Sequence, residues 1–260
     1  NNNNNNNKQN NVQNNVQDIS TLHREDGNTV NAVADARFGT DDIHECKEST
    51  YGELTHGTLQ MILEHPSIQM TSSESFLDLG SGRGATVFQV FLSKHVKHAA
   101  GVELSSFRHL EACDALTKLH NSLPESINAS SSRISFRNDD MFVMDWSSFD
   151  VVYVSALCFR KSMMQEIQRR LNIELIEGSR VFSLRAFPKV KENKNQSDSN
   201  QSLARLELVS KSVGRATWGA TTVYMYKRVG GRKSKRMDIY DDGSSNEGSK
   251  SLKKLNNEQR

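Results

Sequence analysis

The chain has 260 residues, a formal net charge of +2 and 35% hydrophobic residues, which suits one domain of ordinary size with polar ends. A near-neutral total excludes a globally basic nucleic-acid binder, so any phosphate-binding surface must be local. No apolar run approaches the roughly 18 residues of a membrane span. Three scattered cysteines, Cys46, Cys113 and Cys158, with no C-x-x-C pair argue against a disulfide framework or a thiolate zinc site and for a reducing intracellular compartment.

Residues 1–40 open on "NNNNNNNKQNNVQNNVQ", too polar to offset their ordering entropy, and are expected to be disordered. The run has neither the apolar core of a signal peptide nor the Arg-rich amphipathic pattern of a transit peptide. From there the pattern alternates. "SFLDL" (75–79) reads as a buried strand and "ATVFQVFLSKH" (85–95) as a helix. "HAAGVEL" (98–104) is a strand, and "SFRHLEACDALTKLH" (106–120) a helix with Phe107, Leu110, Cys113 and Leu116 on its apolar side. "RISF" (133–136) and "FDVVYVSAL" (149–157) are strands. "KSMMQEIQRRL" (161–171) is a helix with Met164, Ile167 and Leu171 on one face. "RVFSL" (180–184) follows a turn at Gly178, and "LARLELV" (203–209) with "TTVYMYK" (221–227) closes the series as an antiparallel pair. A polar loop near 190–202 and a partly basic tail, 229–260, carry no periodic pattern. The architecture predicted is α/β: a mostly parallel sheet, helices on both faces and a terminal antiparallel hairpin. His95 and His98 lack the carboxylate or thiolate company of a metal site and read as a solvated helix end.

The chemistry concentrates around "DLGSGRG" (78–84). Gly80, Gly82 and Gly84 lie between a strand and a helix, where ligands approach the backbone in a doubly wound fold. The run lacks the Lys-Ser/Thr of a P-loop, and Asp78 before the first glycine would repel a pyrophosphate. An acid there suits a cationic ligand. Glu103 ends the next strand, where a carboxylate accepts from ribose hydroxyls; its plainer reading is the acid at a helix start. Asp140, after the third strand, is placed to accept from an adenine amino group, with Met141 and Phe142 against the purine face; its plainer reading is a cap. Three acids in this order point to S-adenosylmethionine, which carries a sulfonium, an ammonium and a ribose but no phosphate.

Between residues 48 and 228 the chain resembles the histone-lysine methyltransferases of the disruptor-of-telomeric-silencing, non-SET type. The residues that carry the resemblance are "TYGEL" (50–54), "DLGSGRG", "GVE" (101–103), "DDMF" (139–142), "VVYVSALCF" (151–159), "EGSRVFSLRAF" (177–187) and "ATWGATTVYMY" (216–226). It implies a Rossmann-like class I methyltransferase domain over 41–228, with a seven-stranded sheet. Tyr51 and Glu53 would cover the methionine end of the cofactor. Asp78, Gly80, Ser81, Gly82 and Gly84 would form the first cofactor loop, Glu103 would hold the ribose, and Asp140 with Met141 the adenine. Phe159, Trp218 and Tyr224 would line a channel to the methyl group. Where the family has two Asn after the fourth strand, this chain has Ser155 and Ala156, so Ser155 keeps one hydroxyl at the active site. The implied substrate is a histone lysine in a nucleosome; a non-histone protein, a small molecule, or no substrate at all are the alternatives that the lost amides raise. The implied location is the nucleus, with the cytoplasm as alternative. The basic run "KRVGGRKSKR" (227–236) is expected to contact DNA phosphates non-specifically or to act as an import signal.

Overall fold

The structure, a computed structural model, describes residues 52–122, 133–188 and 204–231. The expectations for the Asn/Gln-rich start, the polar loop near 190–202, Tyr51, Cys46 and the tail beyond residue 231 fall outside these residues. Among the described residues there are four α-helices: α1 (His56–Glu64), α2 (Ala85–Lys94), α3 (Ser106–Ser122) and α4 (Lys161–Glu174). The seven strands are β1 (Ser75–Leu79), β2 (His98–Glu103), β3 (Ile134–Asn138), β4 (Val151–Val154), β5 (Arg180–Ser183), β6 (Arg205–Ala216) and β7 (Gly219–Val229).

The strands form one sheet in the order β3-β2-β1-β4-β5-β7-β6. The first five are parallel, and β7 runs antiparallel to both β5 and β6. Chain direction across the sheet reverses between β1 and β4, which makes the carboxyl ends of those two strands the crevice where ligands bind in such sheets. Every residue of β1 and β4 is buried, as expected for central strands covered on both faces.

The strand alternation builds two cores. Phe76, Tyr153, Phe182 and Met225 face one side, against Leu59 and Ile62 of α1 and Val87, Val90 and Phe91 of α2. Leu77, Val152, Val154 and Val181 face the other, against Met164, Ile167 and Leu171 of α4. The helical face predicted for α4 is therefore the one buried. That of α3 is buried only in part: Leu116 packs against the core, but Leu110 is 62% exposed, and Arg108 and Ala112 are the fully buried positions. Cys113 and Leu116 are only half-buried. The sheet edge that α3 covers is short, and the helix turns toward it the face that also reaches Glu103. Cys113 is a free thiol.

Gly84 shows how tightly the loop is built. It takes φ +82° as the residue before α2, and a Cβ there would fall 2.5 Å from the Phe136 ring. Gly84→Ala is expected to destabilise the domain by roughly 2 kcal/mol or more, from left-handed strain plus overpacking. Chemical denaturation checks it; a variant as stable as wild type would mean that the ring moves aside freely.

Candidate cofactor site

The crevice is assembled by backbone hydrogen bonds between strand ends. After β1 the chain folds back, and the Gly80 and Ser81 amides both donate to the Val102 carbonyl of β2, at 2.9 and 3.0 Å. Gly101 is small because a Cβ there would meet Ser81 Oγ at 2.5 Å. Gly80, Gly82 and Gly84 all have positive φ, so the loop winds through conformations open to glycine.

Glu103 locks this loop to the sheet. Its carboxylate accepts from the Gly82 amide and the Ser105 amide, each at 2.8 Å, and lies 3.9 Å from the Arg108 guanidinium, both side chains being buried. It is thus the acid at the start of α3 and, in the same position, an acid facing the glycine loop. Asn138 ties β3 to this end by donating to the carbonyls of Glu103 and Leu104 at 2.9 and 3.1 Å. Asp140 follows, half-buried, and its carboxylate accepts from the Phe142 amide at 2.9 Å. It therefore caps the short 3-10 turn Met141–Val143. Met141 and Phe142 pack against the α4-side core.

Asp78 is the most deeply buried of the three acids. It is 2% exposed, and its Oδ1 has no hydrogen-bond partner. Burial pushes its carboxyl well above the usual carboxylate range. Repulsion from Glu103 and then Glu53 adds to this, and a hydrogen bond with Thr86 offsets it in part. Ser81 Oγ is likewise buried without a partner. Orphaned buried polar atoms call for an explanation. A polar cationic ligand in the crevice supplies one: the set of acceptors fits a sulfonium and ammonium carrier, and three acids without a basic cradle do not fit a phosphate.

The upstream segment closes one side. Glu53 and Thr217 exchange two bonds, the Thr217 amide to the Glu53 carbonyl at 2.9 Å and the Glu53 amide to Thr217 Oγ1 at 3.2 Å. The Thr55 amide donates to the Arg215 carbonyl at 3.0 Å. Residues 53–55 thus form a short edge on the tip of the β6–β7 hairpin. Trp218, at that tip and 45% exposed, lies so close over Gly52 that a Cβ there would overlap its ring at 2.2 Å.

Of the remaining predicted site residues, Phe159 is buried with its ring tip against Gly80, and Ala156 is fully buried. Ser155 follows β4 and is half-buried. Tyr224 of β7 pairs with Ser183, the last residue of β5, with the Lys211 ammonium 5.5 Å from its ring centre. Phe159 and Tyr224 pack with the same core, whereas Trp218 belongs to the hairpin tip. The basic run is corrected at Arg228. This residue is 1% exposed and its guanidinium donates to the carbonyls of Asn172, Val229 and Gly230, so it holds the end of β7 and meets no phosphate. Lys227 is exposed, and Arg232, Lys233, Lys235 and Arg236 lie outside the described residues. The sequence reading gave no role to Thr86, Gly101 and Arg108: Thr86 and Arg108 meet Asp78 and Glu103 across turns, and Gly101 meets Ser81 across the strand ends.

Among the described residues, no group of three or more His, Cys, Asp or Glu could hold a metal ion, and no helix is long and apolar enough to cross a membrane. The strand order with its single antiparallel strand, the glycine loop after β1 and the acids at the strand ends define a Rossmann-like, S-adenosylmethionine-dependent methyltransferase domain. The family model described as histone methylation protein DOT1 matches residues 41–227, and the chain belongs to that family. Similar solved structures include an RNA methyltransferase from Salinibacter ruber, crystallised with S-adenosyl-L-homocysteine, at 18% identity and TM-score 0.46 over 70% of this chain and 95% of that one. TrmN from Thermus thermophilus matches at 15% identity and TM-score 0.49 over 68% of this chain and 49% of that one.

Proposed function

We propose that this protein transfers a methyl group from S-adenosylmethionine to a lysine side chain of a nucleosomal histone. The observation that carries the reading is the set of acids at the carboxyl ends of β1, β2 and β3, with Asp78 and Glu103 buried and Asp140 half-buried, in a chain of the histone methylation family. Asp78 and the glycine loop would hold the methionine end, with Tyr51 and Glu53 over it. Glu103 would hold the ribose, and Asp140 with Met141 the adenine. The cofactor supplies an electrophilic methyl group on sulfur.

The chain's own part is positioning and desolvation. A lysine in water has a pKa near 10.4, and its ammonium has no lone pair to attack with. Burial against aromatic rings disfavours the charged form and still contacts a methylated ammonium through ring faces. Phe159 beside Gly80 and Tyr224 beside Ser183 support such a wall, with Trp218 at its outer end. Ser155 is the polar group nearest in sequence to the family's missing amides, and it would orient the incoming amine. That substitution also supports a second reading, a non-histone acceptor or a cofactor-binding module without turnover.

The domain would span 41–228, with the polar segments 1–40 and 229–260 as appendages, and it would act in the nucleus. DNA phosphates would meet Lys227 and the basic residues after it.

Transfer of labelled methyl to nucleosomes and to free histones, side by side, tests the reading. Label on nucleosomes that is lost in Asp78→Asn supports it. Cofactor binding without label on either substrate would move the assignment to the second reading. Trp218→Ala is expected to lower kcat/KM for nucleosomes on the order of tenfold, about 1.4 kcal/mol, with cofactor affinity within about twofold. Equal loss of both would show that Trp218 serves only to seat residues 52–55.

A further inference from the structure

The purine end of the proposed site has a weakness: Asp140 and Met141 belong to no strand. They lie in the run between β3 and β4, at a single 3-10 turn, where no strand ladder sets the backbone. A group that holds this run comes from α4, which packs on the same side of the sheet. Arg170 of α4 donates to the Met144 carbonyl at 2.7 Å and, more weakly, to the Met141 carbonyl at 3.5 Å. Its guanidinium lies 4.2 Å from the centre of the Trp146 ring and pairs with Glu174 one turn on. Trp146 is fully buried. Its indole N–H donates to the same Met141 carbonyl at 3.0 Å, and its amide to Glu174 at 2.9 Å. The Met141 carbonyl thus has donors from two directions, and both lead back to α4.

Docking α4 on the sheet does not require this arginine. Met163, Met164, Ile167 and Leu171 already bury its apolar face. A guanidinium with a side-chain exposure of 13% costs desolvation, and an apolar residue of similar volume is often neutral or stabilising in such a place. What the guanidinium adds is two planar sets of donors and a stacking face that fix neighbouring carbonyls in one geometry.

We propose that Arg170 is a positioning residue for purine recognition. By clamping the Met141 and Met144 carbonyls and stacking on Trp146, it holds Asp140 at the purine edge and so sets the preference for a 6-amino purine. It touches no part of the ligand. The inference rests on the cofactor reading above and goes beyond it by assigning base selectivity to a residue outside the crevice.

The test is titration calorimetry of the full chain with S-adenosylhomocysteine and with S-inosylhomocysteine, its 6-oxo counterpart. Wild type is expected to prefer the adenosyl ligand by about tenfold or more, the scale of one hydrogen bond to a charged group. In Arg170→Met the adenosyl affinity falls about tenfold and the inosyl affinity less than about threefold, so the preference nearly disappears. Arg170→Lys keeps the charge without the planar stack and is intermediate. Arg170→Met that binds both ligands as wild type does, or loses both in equal proportion, overturns the proposal, since a merely structural arginine would not change the ratio. If Arg170→Met does not fold by circular dichroism, Trp146→Phe, which removes one donor to the Met141 carbonyl, carries the same expectation; an unchanged preference there overturns it. Wild type that binds both ligands equally removes Asp140 from purine recognition and this proposal with it. Wild type that binds neither overturns the cofactor reading itself, a result distinct from failure of Arg170 alone.

Discussion

Asp78→Asn is expected to bind S-adenosylmethionine on the order of a hundredfold less tightly than wild type, and yet to melt at a higher temperature without ligand. Both effects have one cause. The Asp78 carboxyl is buried, has one oxygen without a partner, and is repelled by Glu103 and Glu53. Without a cation its charge is a liability; with one it becomes half of a buried ion pair, and loss of that partner costs about 3 kcal/mol, the scale of the hundredfold. The gain in melting temperature should depend on pH. The folded-state pKa of Asp78 is raised, so the folded state holds its proton longer than the unfolded state does. Its contribution is fully present below the unfolded value of about 3.9 and is lost as pH rises through the folded value. Asn does not titrate, so variant and wild type should differ least near pH 4 and increasingly above it. Melting scans from pH 4 to 9 with a parallel cofactor titration check this. A variant that melts below wild type at neutral pH, or that binds cofactor normally, would sink the account.

Glu103→Ala, at the end of the neighbouring strand, should behave in the opposite sense on stability. Its carboxylate is engaged by the Gly82 and Ser105 amides and lies beside buried Arg108. Truncation leaves two buried amides without their acceptor and removes an anion from beside a guanidinium. The expected loss is roughly 3 kcal/mol or more, about 10 °C in melting temperature for a domain of this size, together with loss of cofactor binding. Thermal denaturation of the two single variants separates the roles: one acid strains the empty crevice and the other builds it. A Glu103→Ala protein with wild-type melting but no cofactor binding would show that the loop stands without it and that Glu103 serves the ribose alone. Loss of methyl transfer in Glu103→Ala is accordingly weak evidence about chemistry, and Asp78→Asn is the cleaner probe.

The local part of this fold was readable from residues. Buried strands such as "SFLDL" and "VVYV" are continuous apolar runs because both faces are covered, and α4 shows its apolar face at Met164, Ile167 and Leu171. The closing hairpin alternates as an edge pair does, and β6 and β7 run on together to the tip at Thr217–Trp218. The order of these elements restricts the sheet to few arrangements, and the glycines of the loop mark a place where only small residues take positive φ.

What adjacency in the chain could not show is which distant groups meet. Leu110 has the right spacing for a buried face, but α3 turns Arg108 and Ala112 inward because the sheet edge and Glu103 lie there. Arg228 belongs to a basic run, yet carbonyls at the ends of α4 and β7 take it into the interior. Trp146 and Arg170 look like an isolated aromatic and a solvated helix charge until Met141 is placed between them. By itself the sequence indicated the elements from β1 onward and their order and singled out the three acids as candidates, since propensity, periodicity and glycine geometry act within a few residues. Only the tertiary structure decided which acid is strained, which is structural and what holds the third in place, because burial, repulsion and hydrogen-bond partnership depend on distances that chain separation does not encode.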